Sequence, residues 1–376
     1  MRLVIAGGGT GGHLFPGIAV AEEFLSRDSG NEVLFVGTER GIEARVLPRL
    51  GFRVEFIAAA GIRGKGGFSQ VKAMAMLLYG YAQSRRILKE FRPDRVLGVG
   101  GYASGPVVLA ARGMQIRRFI HEQNAIPGMT NKILARFAEE VFISLDESRR
   151  FFPEGKALLT GNPVRREILA SAGNPPPPPF DKSLNFPLPQ GEGQGEGGLF
   201  RLLIFGGSAG AHSVNQAVMA ALPSLAGFRE RLTITHQTGE NDLTEVREAY
   251  RREGFAAEVV PFINDMAGAY RDASLVVCRA GATTIAEVTA CGKACIFIPY
   301  PHAVDDHQRR NAEALLKKGA GFMLLEQELS GESLARMIGE LLVEPEKIEA
   351  AGNNARELAR LDAARVIVDE MLKTGN

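Results

Sequence analysis

The chain has 376 residues, 45% of them hydrophobic and 23% charged, which suits two globular domains and excludes a largely disordered protein. A net charge of +1 excludes the broad basic field of a nucleic-acid binder, so no nucleic-acid partner is expected and any anionic ligand must meet a local patch. Cys278, Cys291 and Cys295 form no C-x-x-C pair and are odd in number, so reduced, buried thiols in a cytosolic protein are expected.

The first apolar run, Leu3–Ala6, passes straight into glycines and is too short for the core of a signal peptide. No later stretch reaches the length of a membrane span. Short apolar runs then alternate with amphipathic segments, the pattern of a parallel sheet covered by helices. Strands are expected at Leu3–Ala6, Val33–Val36, Val54–Ile57, Val96–Val99, Phe119–His121 and Val141–Ser144. A second set is expected at Leu202–Phe205, Leu232–Thr235, Glu258–Val260, Leu275–Cys278, Cys295–Ile298 and Gly321–Leu325.

The two sets begin alike. Arg2-Leu3-Val4-Ile5-Ala6-Gly7-Gly8 resembles Arg201-Leu202-Leu203-Ile204-Phe205-Gly206-Gly207. Each is followed by a helix with the same apolar spacing, Leu14, Ile18 and Ala21 against Val214, Val218 and Ala221, which is one helical face. Two domains of one doubly wound type follow. Between them, 173–198 holds Pro175–Pro179 and a glycine tract, a composition that buries no core and reads as a disordered insertion beside the hinge. Pro345 suits a helix start, and one helix is expected over Glu346–Leu372 with Leu358, Leu361, Ala364, Val368 and Met371 as its apolar stripe.

Several strand ends carry chemistry. Gly7-Gly8-Gly9-Thr10-Gly11-Gly12-His13 places flexible backbone before a helix N-terminus, a combination suited to anions, and it also satisfies the dinucleotide pattern G-x-G-x-x-G. A dinucleotide site wants an acid at the end of the second strand, where Glu39 stands late. His13 has two readings: a capping or packing residue, or a general base, since imidazole as a side-chain type exchanges protons near neutral pH. Further glycine clusters follow at Gly98–Pro106 and Gly206–Ala211; in the latter, Ser208 either binds a phosphate or caps a helix. His121-Glu122-Gln123-Asn124 puts four polar side chains at a strand's carboxyl end, where open α/β sheets hold ligands, or is an ordinary polar loop.

Gly281–Glu287 reads as another strand–glycine–helix phosphate site, with Glu287 able to pair with the helix dipole or to accept both hydroxyls of a ribose. Asp305-Asp306-His307-Gln308 is polar, but no further ligand at helical spacing completes a metal set. Phe68–Phe91 mixes Met74, Met76, Leu77, Leu78, Tyr79 and Tyr81 with Lys72, Arg85, Arg86 and Lys89, which suits either an anionic membrane surface or a core helix with a basic edge.

Eight motifs in order together resemble the MurG family of UDP-N-acetylglucosamine:lipid I N-acetylglucosaminyltransferases. They are 8–13 with Phe15-Pro16-Gly17, Gly61–Gly66, Gly100–Pro106, His121–Asn124, Gly161–Arg165, Gly206–Ala211, Arg279–Thr284 and His307–Ala312. The resemblance implies an α/β GT-B glycosyltransferase: two Rossmann-like doubly wound domains facing across a cleft. Residues 1–165 would form the acceptor- and membrane-binding domain, and 199–356 the UDP-GlcNAc domain. A C-terminal helix over about 357–376 is expected to return to the first domain.

By motif position, Ser208 and the turn Ala282, Thr283, Thr284, Ile285 and Ala286 would contact the donor diphosphate. Ile263 would meet uracil through its backbone, Glu287 the ribose, and Gln308 and Asn311 the sugar hydroxyls. Arg165 and Asn124 would reach the donor, while Thr10, Gly11 and Gly12 would face the acceptor diphosphate. The implied reaction inverts the anomeric centre, with His13 as base and Glu122 as second candidate, and with no metal or cofactor. Implied partners are UDP-GlcNAc, lipid I and an anionic membrane surface, at the cytoplasmic face of the membrane. The competing readings are a UDP-GlcNAc 2-epimerase or other glycolipid transferase of the same fold, a nicotinamide oxidoreductase, and a silent sugar-nucleotide sensor. The insertion at 173–198 departs from the family pattern.

Overall fold

A computed structural model describes residues 1–59, 67–172, 199–207 and 210–373; the side chains of 67–74 and Val304 lie outside the description. The insertion 173–198, the motif Gly61–Gly66 and Ser208 therefore fall outside the described residues. The chain divides into two compact units: Met1–Arg165 together with the segment from Arg360 onward, and Arg166–Ala359.

The first unit is built on seven parallel strands: β1 (Arg2–Ala6), β2 (Glu32–Gly37), β3 (Arg53–Phe56), β4 (Arg95–Gly98), β5 (Arg117–Glu122), β6 (Glu140–Ile143) and β7 (Ala157–Leu159). Their order is β3-β2-β1-β4-β5-β6-β7. Val4 lies opposite Leu34 on one side and Val96 on the other, so β1 is central and takes hydrogen bonds on both edges. Its continuous apolar run is what a strand covered on both faces requires. Alternation divides the run. Val4 and Ala6 join one core layer with Val96, Ile120 and Val141; Leu3 and Ile5 join the other with Leu97, Phe119 and Phe142.

Helices Gly11–Arg27 and Ala363–Leu372 cover the Leu3 face through Leu14, Ile18, Phe24, Ile367, Val368 and Met371. Helices Gly67–Phe91, Ser104–Gly113 and Met129–Leu134 cover the other through Leu88, Phe91, Val107, Val108 and Leu134. Each fully buried side chain of this size contributes about 1.5–3 kcal/mol.

The second unit holds β8 (Phe200–Phe205), β9 (Leu232–Gln237), β10 (Ala256–Val260), β11 (Leu275–Cys278), β12 (Cys295–Phe297) and β13 (Phe322–Met323) in the order β10-β9-β8-β11-β12-β13. This is the order of the first six strands of the first unit. The repeat read from the sequence is therefore a repeat of fold. Leu14, Ile18 and Ala21, and Val214, Val218 and Ala221, are all buried, as their matched spacing predicts. The three cysteines are free and buried.

Three expectations need correction. The helix expected over Glu346–Leu372 is two helices, Pro345–Leu358 and Ala363–Leu372, the first in the second unit and the other in the first unit. Ala359 adopts an extended backbone at the break, and Leu358 and Leu361 are exposed; Ile348, Ala351 and Ala355 supply the apolar contact of the first helix instead. The strand β7 was not anticipated, because three half-buried residues carry too short a pattern. The strand expected over Gly321–Leu325 pairs through only two residues.

In both sheets the strand order reverses beside the first strand, between β1 and β4 and between β8 and β11. Crevices outside the carboxyl ends of strands at such reversals are where open α/β sheets bind ligands. The glycine motifs stand at those four strand ends.

Candidate active site

In the first unit, Gly7, Gly8 and Gly9 leave β1 with φ of +146°, +133° and +87°, a path closed to other residues. The loop is tied down by Glu43, a buried carboxylate that accepts from the Gly9 N–H at 2.7 Å, the Thr38 N–H at 2.8 Å and the Thr38 hydroxyl at 3.1 Å. A Cβ on Gly8 would stand 2.5 Å from that carboxylate. Glu39, the acid weighed for a dinucleotide ribose, is exposed. Glu43 was not foreseen; four residues beyond Glu39, it carried no motif.

The loop delivers the helix Gly11–Arg27. Thr10 is extended at its start and makes no side-chain cap, so Thr10 is exposed and Gly11 and Gly12 are partly so. Ser104 holds the facing loop after β4: its hydroxyl donates to the Ala6 and Gly100 carbonyls, at 2.7 and 2.8 Å.

His13 lies in the first turn of helix Gly11–Arg27, inside the N-cap position held by Thr10. Its Nδ1 lies 3.1 Å from Gln123 Oε1. The Gln123 amide nitrogen lies 2.8 Å from the Val99 carbonyl and 3.1 Å from His121 Nδ1, and His121 Nε2 lies 3.2 Å from Ser144 Oγ. Burial pushes His121 down to about 4, against a hydrogen bond to the Gly161 backbone that raises it; His13 lowers it further. His121 is thus a neutral ring at ordinary pH. Gln123 carried no assigned role in the sequence reading.

Glu122 is buried and engaged on both oxygens. Oε1 accepts from the Asn124 N–H and side-chain amide at 3.0 and 3.2 Å, and Oε2 from the Gly128 N–H and Asn131 amide at 3.2 and 2.9 Å. This carboxylate is built to hold the 124–131 loop, and Asn124 with it. Arg165 lies over the Phe15 ring at 4.9 Å.

In the second unit, β11 leads into Arg279 and the turn before helix Ala282–Ala290. Gly281 is extended and its carbonyl accepts the first intrahelical bond from Ile285, at 2.9 Å. The N–H groups of the first turn point past that bond along the helix axis, where an anion is stabilised. Thr283, Thr284 and Ala286 are partly exposed; Ala282, Ile285 and Glu287 are buried. Glu287 accepts from the Tyr270 hydroxyl at 3.1 Å, and Tyr270, pushed well above its ordinary range by burial, stays a donor.

Arg279 is buried. It donates to the Ile298 and Pro299 carbonyls at 3.1 and 3.2 Å, to Ser213 Oγ at 3.0 Å, and to Glu326. Burial alone would raise Glu326; the hydrogen bonds from Arg279 and Ser213 outweigh it and hold the carboxyl below its ordinary value. The ion pair ties the turn after β11 to Glu326, and the hydrogen bond to Ser213 ties it to the start of helix His212–Ala221.

Ile263, expected at uracil through its backbone, donates its N–H to Gln237 Oε1 at 2.9 Å, while Gln237 donates to the Gly207 carbonyl at 2.8 Å. Asn311 is fully buried and donates to the Ala280 carbonyl at 3.3 Å. Gln308 accepts from the Tyr300 N–H at 2.9 Å. Just before it, Asp305 and Asp306 both have φ of +54°, a left-handed pair that costs about 1–3 kcal/mol per residue. No motif marked Gln237 or Tyr270, and Arg279 stood in a motif without an assigned role; the roles of all three arise from contacts with elements distant in the chain.

The geometry has close relatives. The glycosyltransferase family 28 N-terminal domain matches residues 3–143, and the family's C-terminal domain matches residues 201–371. A UDP-N-acetylglucosamine–N-acetylmuramyl-(pentapeptide) pyrophosphoryl-undecaprenol N-acetylglucosamine transferase of Geotalea uraniireducens is 69% identical over 99% of this chain and 98% of its own. One of the same name from Geobacter metallireducens is 67% identical over the same shares. Among solved structures, MurG of Acinetobacter baumannii matches at a TM-score of 0.77 and 32% identity over 99% of both chains. UDP-GlcNAc 2-epimerase of Neisseria meningitidis matches at 0.67 over 100% of both, but at 15% identity the likeness is one of fold.

Proposed function

The chain belongs to glycosyltransferase family 28 and, within it, to the MurG family, and on that footing we propose that it transfers N-acetylglucosamine from UDP-GlcNAc to the MurNAc 4-hydroxyl of lipid I, forming lipid II for peptidoglycan. The observation that carries this is near full-length identity of 69% to a transferase bearing that name. The epimerase reading has only the shared fold behind it.

The second unit holds the donor. Its diphosphate lies at the N-terminus of helix Ala282–Ala290, with Thr283 and Thr284 in the first turn, and Ser208 is assigned to it by its place in the motif Gly206–Ala211. Glu287, presented by Tyr270, accepts the ribose hydroxyls. Ile263 meets uracil through its carbonyl, because its N–H is engaged by Gln237. Gln308 reads the sugar, and Asn311 supports it by fixing the Ala280 turn. The first unit holds the acceptor, with Thr10, Gly11 and Gly12 at its diphosphate, while Asn124 and Arg165 reach the donor.

Inversion follows from direct displacement. The acceptor oxygen attacks the anomeric carbon as its proton passes to His13, and the bond to the UDP oxygen breaks on the opposite side. The helix N-terminus stabilises the charge that develops on the departing diphosphate. Glu122, saturated by four donors, positions Asn124.

The acceptor is a lipid, and the first unit suits work at an anionic membrane surface on the cytoplasmic side. Among the described residues no helix is long and apolar enough to cross a membrane. Leu78 and Tyr79 on helix Gly67–Phe91, Tyr102, and Met129 and Ile133 on helix Met129–Leu134 are exposed apolar side chains on successively packed elements. Arg85, Lys89 and Arg136 are exposed on the same helices or just after them. Apolar contact with basic neighbours is the composition of interfacial binding.

Transfer of labelled GlcNAc to a lipid I analogue tests the activity, with UDP-glucose as control. Label is expected in lipid only from UDP-GlcNAc; consumption of UDP-GlcNAc without the lipid acceptor would refute the proposal. Flotation with phosphatidylglycerol vesicles tests the surface: L78D/Y79D is expected to lose vesicle binding while keeping UDP binding.

A further inference from the structure

We infer that Gln123 is a positioning residue that fixes His13 as the tautomer with its proton on Nδ1 and a bare Nε2. The inference rests on reading His13 as the base and adds the group that makes it one.

The chain of hydrogen bonds leaves a single arrangement. The Val99 carbonyl only accepts, so the Gln123 side-chain nitrogen must face it, at 2.8 Å. That nitrogen has a second proton, directed to His121 Nδ1 at 3.1 Å, which must then carry the lone pair. His121 accordingly bears its proton on Nε2, where Ser144 Oγ lies at 3.2 Å. The Gln123 oxygen remains for His13, and an amide oxygen only accepts, so His13 Nδ1 must donate across the 3.1 Å. Gln123 is 1% exposed and the amide has no room to exchange its two ends without setting donor against donor and acceptor against acceptor.

The loop glycine makes the same ring position possible. A Cβ on Gly100 would stand 2.7 Å from His13 Nδ1 and 2.8 Å from its Cε1, and Gly100 has φ of +95°. The imidazole is thus laid against backbone on one side and tethered at Nδ1, with Nε2 on the opposite edge of the ring.

A free histidine side chain favours the other tautomer, with its proton on Nε2, which has no lone pair to offer there. Holding the proton on Nδ1 gives Nε2 the electron pair. In the reaction this pair takes the acceptor's hydroxyl proton as the oxygen–carbon bond forms, the bond from the anomeric carbon to UDP breaks, and its electrons leave with UDP. The resulting imidazolium keeps its Nδ1–H on Gln123 and returns the added proton to water. This is the orienting part of a catalytic triad performed by a neutral amide. Because His121 remains neutral to about pH 4, the network keeps its polarity throughout the working range.

Nitrogen-15 NMR of histidine-labelled protein tests this directly, with the His13 signals identified by their loss in His13→Ala. The neutral ring of the unmodified chain is expected to carry its proton on Nδ1; a proton on Nε2 overturns the inference without any variant having to fold. Gln123→Met is expected to lower kcat by about 10- to 100-fold, toward the low end of what a general base supplies. Its donor KM should stay within about twofold, and neutral His13 should move toward the Nε2–H form. Gln123→Glu, which keeps an acceptor for Nδ1–H, should recover part of the turnover. A folded Gln123→Met protein with full turnover and unchanged His13 signals also overturns it. If instead His13→Ala keeps full turnover while the wild-type ring is Nδ1-protonated, the base assignment fails and the tautomer assignment stands.

Discussion

The two units repeat one strand order and differ in what stands at the strand ends. In the first, the end of β5 carries a hydrogen-bond network, His13–Gln123–His121–Ser144, beside a loop of three glycines. In the second, the end of β11, the counterpart of β4, carries fixed charge: Arg279 paired with Glu326, Glu287 presented by Tyr270, and a helix N-terminus. A neutral, hydrogen-bonded ring suits proton movement, because little has to reorganise when the proton transfers. Fixed charges and dipoles suit holding a nucleotide diphosphate and receiving it as it departs. One scaffold thus serves two tasks through a handful of side chains at the carboxyl ends of its strands, and function is read from those residues rather than from the fold.

The division can be broken most severely at His13. His13→Ala is expected to lower kcat by about 10²- to 10⁴-fold, the usual share of a general base, with the donor KM little changed. Steady-state transfer assays would measure it; full turnover would remove the base from the first unit.

The charged side is tested by Arg279→Met. It leaves Glu326 without its cation and two buried carbonyls without a donor, and is expected to cost about 3 kcal/mol, at the low end for breaking a buried pair because Glu326 is 24% exposed. Chemical denaturation reads the loss. A cost within error of zero would mean that the pair does not hold the turn.

A subtler test uses the buried histidines, one in each unit. Burial holds His121 at about 4 and His236 at about 3, both below the ordinary value of 6.5. The unfolded chain therefore binds protons that the folded chain refuses, so stability falls as pH drops below 6.5 and goes on falling to about 4 for His121. His121→Asn is expected to flatten this loss by up to about 3 kcal/mol between those limits. An unchanged slope would show that the His121 ring titrates normally.

Much of this was written in local sequence. Short apolar runs marked twelve of the thirteen strands among the described residues, because strands buried on both faces must be apolar throughout. The one missed, β7, is half-buried and three residues long. The break between helices at Ala359 had no glycine or proline to announce it; it falls where the chain passes from one unit to the other. At the site, His13, Glu122 and Glu287 stood in visible motifs. Gln123 stood in the motif His121–Asn124 without an assigned role, because its contact with His13, 110 residues away in the chain, is made by the fold. Glu43, Tyr270 and Gln237 were not legible, since each meets its partner only through strand pairing or helix packing across the sheet.

The account rests on separate tasks for the two units, and equilibrium binding of UDP tests it most directly. Titration of UDP into the unmodified chain, His13→Ala and Glu287→Ala is expected to give equal affinity for the first two and a loss of about 10- to 100-fold for the third, which is about 1.4–2.8 kcal/mol. Equal affinity in all three, or a loss confined to His13→Ala, would contradict it.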